Sequence, residues 1–193
     1  MEKSRIFLNE INYIKDADIK KSLEVMLDKL PDYFFKVPAS STGKYHPKYA
    51  LGDGGLVRHT KAAARVAVEL FSNPLISSKY TNREQDLIIM ALVLHDGLKL
   101  GLPEERYTRF DHPILIANYI KDNKSELFLS DQDIEFLMNI VKTHMGVWTK
   151  DYNGNEVLEK PKTKYQTFVH LCDYLASRKS ILFDFDSNNN ILF

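Results

Sequence analysis

Residues 86–101, DLIIMALVLHDGLKLG, join a long apolar run to two adjacent ionisable residues. Eight consecutive apolar residues follow Asp86, and a helix that is apolar on all sides is buried on all sides. His95 and Asp96 come directly after this run. Burying them is unfavourable unless other groups compensate them. The sequence therefore predicts that further polar side chains converge on the end of this helix.

The composition limits the classes of function that need to be considered. The chain has 193 residues, of which 44% are hydrophobic, enough for one domain with a substantial core. Its 26 basic residues balance 26 acidic ones, so any phosphate-binding patch has to be local. No apolar run has the length of a signal peptide or a membrane span, and we expect a cytoplasmic protein without a membrane partner. A single cysteine, Cys172, excludes an internal disulfide and a thiolate metal cage.

Helical periodicity dominates the rest of the chain, so we expect an all-α helical bundle. The Asn153-Gly154 turn favours one small β-hairpin near 148–160. We divide the chain into an N-terminal helical extension over 1–37, a main domain over 38–183 and an irregular tail over 184–193. The predicted helices are one or two over 4–30, then 56–71, 83–99, one beginning at Pro113, one capped by Ser130 and Asp133, and 164–182.

Most of the histidines lie on the apolar faces of these predicted helices. His59 shares a stripe with Ala62, Ala63 and Val66, and His144 continues another apolar stripe. A lone inward histidine is more often a hydrogen-bonded core residue than a ligand. That alternative weakens here, because one shared metal would satisfy inward His and Asp residues on five separate elements. Imidazole and carboxylate ligands suit Mn, Fe, Co, Ni or Zn, and additional carboxylates and waters extend the range to Mg.

The order of these residues resembles the HD-domain superfamily of metal-dependent phosphohydrolases, which are all-helical. The residues that carry this resemblance are His59, His95, Asp96, His112, His144 and Asp173. The resemblance implies a first metal ion held by His59, His95, Asp96 and Asp173. It also implies a second ion held by His112 and His144, with Asp96 as the bridge. Such a pair of ions clamps a phosphoryl group and converts a water into a hydroxide nucleophile.

The flanking segments extend the resemblance over about residues 38–183. KYHPKYALGDGGLVRHT (44–60) is similar to the opening of the HD domain in certain 3′→5′ exoribonucleases, and VHLCDYLASR (169–178) to the closing helix. HDGLK keeps the HD-x-x-K spacing, which implies that Lys99 contacts phosphate. The family's common sequence is HD-I-G-K, so the glycine is displaced here, which could change how the helix ends and where Lys99 points. The cyclic-dinucleotide branch is disfavoured, since a second histidine beside His144 and a GYP signature are both missing.

Several further residues are candidates for contacts with substrate. We predict Asp96 and Lys99 as catalytic. Trp148 and Tyr152 could stack on a base or simply pack, and His170 could support Asp173 from one helical turn away. The predicted substrate-binding residues are His46, Lys44, Arg58 and Arg109, each of which could instead be an ordinary surface residue.

The first functional hypothesis is a phosphohydrolase that uses a metal-activated water on a phosphoester or phosphoanhydride bond, with a nucleotide as the favoured substrate. The neutral charge favours a small-molecule nucleotide over a polymer. The exoribonuclease-like flanks favour, as an alternative, a 3′→5′ exonuclease-like phosphodiesterase acting on the end of a nucleic acid. A further alternative is a regulatory module that binds metal and nucleotide without catalysis.

Overall fold

The computed structural model describes residues 2–40, 43–44 and 46–192, and it confirms the all-α prediction. Ser41, Thr42 and Tyr45 of the predicted loop lie outside these ranges. The α-helices are α1 Leu8–Tyr13, α2 Ala17–Lys29, α3 Gly55–Phe71, α4 Pro74–Ser77, α5 Asn82–Leu94, α6 His112–Asp122, α7 Asp131–Val141 and α8 Lys164–Ala176. Short 3-10 helices cover Lys3–Phe7, Asp32–Phe35, Lys48–Ala50 and Lys124–Glu126. Within the described ranges, each helix is too short or too polar to cross a membrane.

Helix α5 lies at the centre of the bundle. Every residue from Asp86 to Leu94 is buried, as the uninterrupted apolar run predicts. The helix contacts α1, α2, α3, α7 and α8, so its C-terminal end lies deep inside the protein. A capping box formed by Thr81 and Glu84 fixes its N-terminus. The capping box that the sequence predicts for Ser130 and Asp133 is confirmed at the start of α7.

The N-terminal segment packs directly on this central helix. The buried carboxylate of Asp86 accepts hydrogen bonds from the backbone N–H groups of Lys15 at 3.0 Å and Asp16 at 2.8 Å. Phe7 and Ile11 belong to the same apolar cluster as α5. These contacts fix the direction in which the segment approaches the bundle. The boundaries assigned above to the extension, the main domain and the tail stay predictions.

Helix α5 ends five residues earlier than predicted. The sequence analysis extends it to Lys99, whereas the helix ends at Leu94 and residues 95–101 form successive turns. The Tyr33 hydroxyl donates to the Gly101 carbonyl at 2.9 Å and accepts from the Leu100 N–H at 3.2 Å. The Arg109 N–H donates to the Lys99 carbonyl at 2.9 Å. Because these distant groups satisfy the backbone of the turns, the chain can leave the helix directly after His95.

The predicted hairpin and the predicted irregular tail prove to be similar turns. Lys150 and Glu156 form one isolated antiparallel bridge around the Asn153-Gly154 turn, and no strand develops near 148–160. Phe185 and Ile191 form a second isolated bridge in the tail. Ile191 is buried, so the tail packs on the protein and is more ordered than its SNNN sequence suggests.

Candidate metal centre

Five separate elements bring the six predicted metal ligands together. His59 comes from α3, His95 and Asp96 from the end of α5, and His112 from the start of α6. The turn after α7 supplies His144, and α8 supplies Asp173. Every one of these side chains is buried except Asp173, whose side chain is 17% exposed. The convergence predicted from the apolar stripes is therefore present in the structure.

The backbone orients three of the four histidine rings in the same way. The Nδ1 atoms of His95, His112 and His144 lie 2.6, 2.6 and 2.8 Å from the carbonyl oxygens three residues earlier. With Nδ1–H donating to a carbonyl, Nε2 carries the lone pair, which is the arrangement of a metal-binding imidazole. The carbonyl groups that orient the rings belong to Leu92, Arg109 and Val141. Sequence reasoning missed them, since a backbone carbonyl has no residue-type signal.

Asp96 lies between two groups of histidine nitrogens. Its Oδ1 is 3.1 Å from His112 Nε2 and 3.7 Å from His144 Nε2. Its Oδ2 is 3.5 Å from His95 Nε2 and 3.8 Å from His59 Nε2. Asp173 Oδ1 closes one side of the centre, at 3.0 Å from the Nε2 of His59. This position between both groups is the one expected for a bridging carboxylate.

The centre keeps its carboxylates charged. Burial disfavours the charged form of Asp96, but Lys99, His95 and His112 outweigh burial and hold the pKa well below its usual value. His59 and His95 do the same for the pKa of Asp173. Burial depresses the pKa of His144 to about 3, with help from the charges of His95 and His112. Negative carboxylates and a neutral His144 are the protonation states that a cation requires of its ligands.

Lys99 reaches the centre although it does not lie on a helix with Asp96. Its Nζ is 2.6 Å from Asp96 Oδ2, and its side chain is 11% exposed. The displaced glycine, Gly97, lies against Leu30 and Ile116, whose side-chain atoms would be only 2.8 and 3.2 Å from an added Cβ. Glycine at this position therefore lets the turn pack closely, and the ammonium group still points to the centre.

His46 is a predicted substrate-binding residue whose ring contacts a predicted ligand. Its ring centroid is 5.0 Å from that of His59, in an edge-to-face arrangement. Its Nδ1 is buried and has no hydrogen-bond partner. Burial, followed by the nearby charges of His59 and Lys99, depresses the pKa of His46 to about 3, so the ring is neutral. Lys44 lies two residues earlier in the same loop, with an exposed side chain.

The structure gives Arg58 and Arg109 partners within the protein. The Arg58 guanidinium donates to the carbonyl oxygens of Tyr49 and Leu51 and to the side chain of Asn189 in the tail. Arg109 pairs with Glu105 and Asp111, and its carbonyl orients His112. These contacts turn both guanidinium groups toward neighbouring segments of the chain, so their predicted contacts with substrate stay predictions without geometric support.

His170 supports the centre through a different residue from the one expected. The sequence analysis places it near Asp173, whereas its Nδ1 lies 2.7 Å from the His144 carbonyl. Gly146 makes this contact possible, because a Cβ at that position would lie 2.2 Å from the His170 ring. His170 therefore holds the turn that carries His144.

The residues present fit one or two divalent cations. The Nε2 of His95 is buried without a hydrogen-bond partner, which is unfavourable unless an ion occupies the space in front of it. Two groups of potential ligands occur among the described residues, and within each group the ligand atoms all lie within 4.8 Å of one another. One comprises His59, His95 and Asp173, and the other comprises His95, Asp96 and His144. His112 Nε2 adds a further donor at 3.0 Å from His144 Nε2.

Comparison with known proteins agrees with this geometry. A family model described as the HD domain matches residues 56–178, which is more than half of the chain and includes all six predicted ligands. No curated protein and no solved structure matches the chain significantly. The HD domain is typical of metal-dependent phosphohydrolases, and its helical fold is the one found here. From the family match over residues 56–178, we conclude that this chain belongs to the HD-domain superfamily.

Proposed function

We propose that this chain is a phosphohydrolase that cleaves a phosphoester or phosphoanhydride bond of a small nucleotide. The observation that carries the proposal is the convergence of four imidazoles and two carboxylates on one buried point, with Lys99 beside them. A regulatory module that only binds nucleotide would need neither a complete ligand set nor a buried ammonium group next to it.

The six ligands would hold one or two divalent ions, with Asp96 as the shared carboxylate. Bound there, the ions would polarise a phosphoryl oxygen and lower the pKa of a water that attacks phosphorus. The all-nitrogen-and-oxygen ligand set suits Mn, Fe, Co, Ni, Zn or Mg. Among the described residues that surround the centre there is no thiolate, since the lone cysteine, Cys172, is buried in the apolar core.

Lys99 and His46 are the side chains that we assign to the substrate itself. The Lys99 ammonium is held by Asp96 at 2.6 Å and would neutralise charge that develops on the phosphoryl oxygens. His46 is neutral, and its unpaired Nδ1 is available to exchange a hydrogen bond with a water or a substrate hydroxyl. Asp173 and Lys99 are the most exposed groups of the centre, so substrate would enter between them.

The second candidate is an exonuclease-like activity on the end of a nucleic acid. The observation in its favour is the similarity of segment 44–60 to the corresponding part of exoribonuclease HD domains. The balanced charge of the chain favours a small nucleotide instead, because polymer binding relies on many phosphate contacts.

The proposal is tested by hydrolysis assays with metal-stripped protein resupplied with Mn, Co, Ni or Mg. The substrates are nucleoside mono-, di- and triphosphates in ribo and deoxy form, a cyclic dinucleotide, and short single-stranded RNA and DNA. We expect metal-dependent turnover of a nucleotide. Turnover of only the RNA or DNA would support the second candidate. Stoichiometric metal without any turnover would contradict the catalytic proposal.

A further inference from the structure

A cluster of aromatic and basic side chains lies beside the metal centre. The rings of Trp148 and Tyr174 are nearly parallel, at 19°, with centroids 6.3 Å apart. The Arg178 guanidinium carbon lies 4.2 Å from the centroid of the Tyr174 ring. The His170 ring is 6.1 Å from Trp148 and 6.0 Å from Tyr174, centroid to centroid. These four residues form what we call the Trp148 platform.

The platform is connected to the metal ligands through two direct links. His170 contacts the His144 carbonyl at 2.7 Å. His170 lies three residues before Asp173 in α8, so the two side chains share a face of this helix. Asp173 is also the most exposed of the predicted ligands. The platform therefore borders the centre on the side where Asp173 is exposed.

Trp148 is held at the surface although it contributes little to the core. Its side chain is 49% exposed, while the next residue, Thr149, is buried. The Thr149 carbonyl accepts hydrogen bonds from the backbone N–H groups of Val157 at 2.9 Å and Leu158 at 3.1 Å. The backbone on which Trp148 sits is thus fixed from the side of the core. A large ring presented to solvent on an anchored backbone is typical of a recognition surface.

We propose that the Trp148 platform binds the base of the nucleotide whose phosphate occupies the metal centre. This inference rests on the function proposed above. Stacking uses the π face that every base offers, and Arg178 would add a cationic contribution next to the Tyr174 ring. Because a stack does not read the edge of a base, the platform gives affinity for a nucleoside phosphate over a base-free phosphate and tolerates different bases.

The platform can be observed directly, because Trp148 is the single tryptophan of the chain. Its fluorescence is recorded for the Mg-loaded protein during the first per cent of turnover. The probes are adenosine mono- and triphosphate and their base-free counterparts, ribose 5-phosphate and inorganic tripolyphosphate. We expect saturable quenching by the adenosine nucleotides and none by the base-free phosphates. Equal responses to both kinds of probe would overturn the proposal.

Substitutions of Trp148 distinguish base stacking from the effect of side-chain volume. Trp148→Leu removes the π system and should raise KM for the nucleotide about tenfold while kcat stays the same, since base stacking on an aromatic ring contributes to binding on this scale. Trp148→Phe keeps a ring and should restore part of the affinity. KM for the base-free phosphates should not change in either variant. The matched control is Phe128→Leu, which removes another exposed ring, one that lies beside Lys21.

The outcomes distinguish failure of the platform from failure of the phosphohydrolase. If nucleotides and base-free phosphates are hydrolysed with equal KM values that Trp148→Leu leaves unchanged, the platform is wrong and the phosphohydrolase stands. If no phosphate is hydrolysed but nucleotides alone quench Trp148, the platform stands and the phosphohydrolase is wrong. If neither hydrolysis nor quenching occurs, both are wrong.

Discussion

Helix α3 carries buried ionisable side chains on two opposite faces. His59 and Lys61 are two residues apart and therefore about 200° apart around the helix axis. His59 faces the metal centre. Lys61 is fully buried on the other side, with its Nζ 3.6 Å from Glu10 Oε2, 3.0 Å from the Asn190 side chain and 5.5 Å from the centroid of the Phe7 ring.

The difference between the two faces lies in how well the charges match. On the Lys61 face, the ammonium group lies beside the Glu10 carboxylate, Asp186 adds a further negative charge, and an amide and an aromatic ring lie close to it. Burial lowers the pKa of Lys61 and raises that of Glu10, and each partner opposes the shift of the other. On the His59 face, lone-pair atoms of several residues face one another, and His95 Nε2 has no partner. Glu10 Oε2 on the Lys61 face also lacks a hydrogen-bond partner, so neither buried charge nor one unpartnered atom indicates a functional site. The convergence of several imidazole nitrogens and carboxylate oxygens on the His59 face does.

The largest expected effect comes from removing the shared carboxylate of the His59 face. Asp96→Ala leaves the imidazoles without a bridging anion, so we expect loss of bound metal and at least a ten-thousandfold fall in kcat, about 5.5 kcal/mol in activation free energy. Metal content by mass spectrometry and hydrolysis rates measure both effects. The control is Asp86→Asn, which alters a buried carboxylate that binds only backbone N–H groups. This control should reduce stability and keep metal; equal metal loss in both variants would contradict the assignment.

The Lys61 face should show the opposite pattern. Glu10→Gln removes the carboxylate that lies nearest to the buried Lys61 ammonium, and we expect a loss of about 3–5 kcal/mol in the free energy of unfolding. Metal content per folded molecule should be unchanged. Urea denaturation gives the stability. The double variant Glu10→Leu with Lys61→Met should recover much of the loss, because an apolar pair needs no charge balance. A double variant as unstable as the single one would mean that the pair has a further role.

The third prediction compares two glycines with positive φ angles. Gly146 has φ 66° and Gly154 has φ 84°, so alanine at either position adopts a strained backbone that costs about 1–2 kcal/mol. At Gly154 an added Cβ meets no atom within 4 Å, whereas at Gly146 it meets the His170 ring. Gly146→Ala should therefore be more destabilising than Gly154→Ala and should alone weaken metal binding, by displacing the turn of His144. Thermal unfolding and metal titration measure this difference, and equal effects would show that His170 moves freely.

A pH dependence of the metal-free protein is also expected. The pKa values of His46 and His144 are about 3 in the folded state, against about 6.5 for an unfolded histidine. The unfolded state thus binds more protons between these values, and the stability that is fully present above pH 6.5 is lost as the pH falls. His95 has a raised pKa because nearby carboxylates outweigh burial, so it opposes this slope near pH 6.5 and adds little to it well below that pH, where both states are protonated.

Each of the two histidines should contribute up to about 1.4 kcal/mol per pH unit. Urea unfolding from pH 5 to 6.5 measures the slope. His46→Asn should reduce the slope by the contribution of one histidine, up to about 1.4 kcal/mol per pH unit. An unchanged slope in this variant would mean that His46 is solvated in the folded protein.

The sequence predicts the metal centre better than its surroundings. The apolar stripes on α3, α7 and α8 place His59, His144 and Asp173 on inward faces, and periodicity alone is sufficient for that step. The contact between Lys99 and Asp96 is also present, although the turn after α5 produces it in place of the expected helix. The HD-x-x-K spacing is informative because a turn of this kind, like a helix, brings residues i and i+3 together.

Contacts between distant segments explain the features that the sequence does not predict, or predicts without structural support. Arg58 looks like a phosphate ligand in the sequence, but Asn189, 131 residues away, accepts its hydrogen bond. The end of α5 depends on Tyr33, and the orientation of His112 depends on a carbonyl of Arg109. Local patterns carry no information about such partners, since chain topology decides which segments meet.

The two hydrogen bonds from Lys15 and Asp16 to Asp86 connect the central helix to a part of the chain that the family match does not include. The family match begins at residue 56, well after both donors. A fragment limited to that match would remove both donors of Asp86 and uncover the faces of α5 against which α1 and α2 pack. Residues before position 56 therefore help to hold the helix whose C-terminal end carries His95 and Asp96.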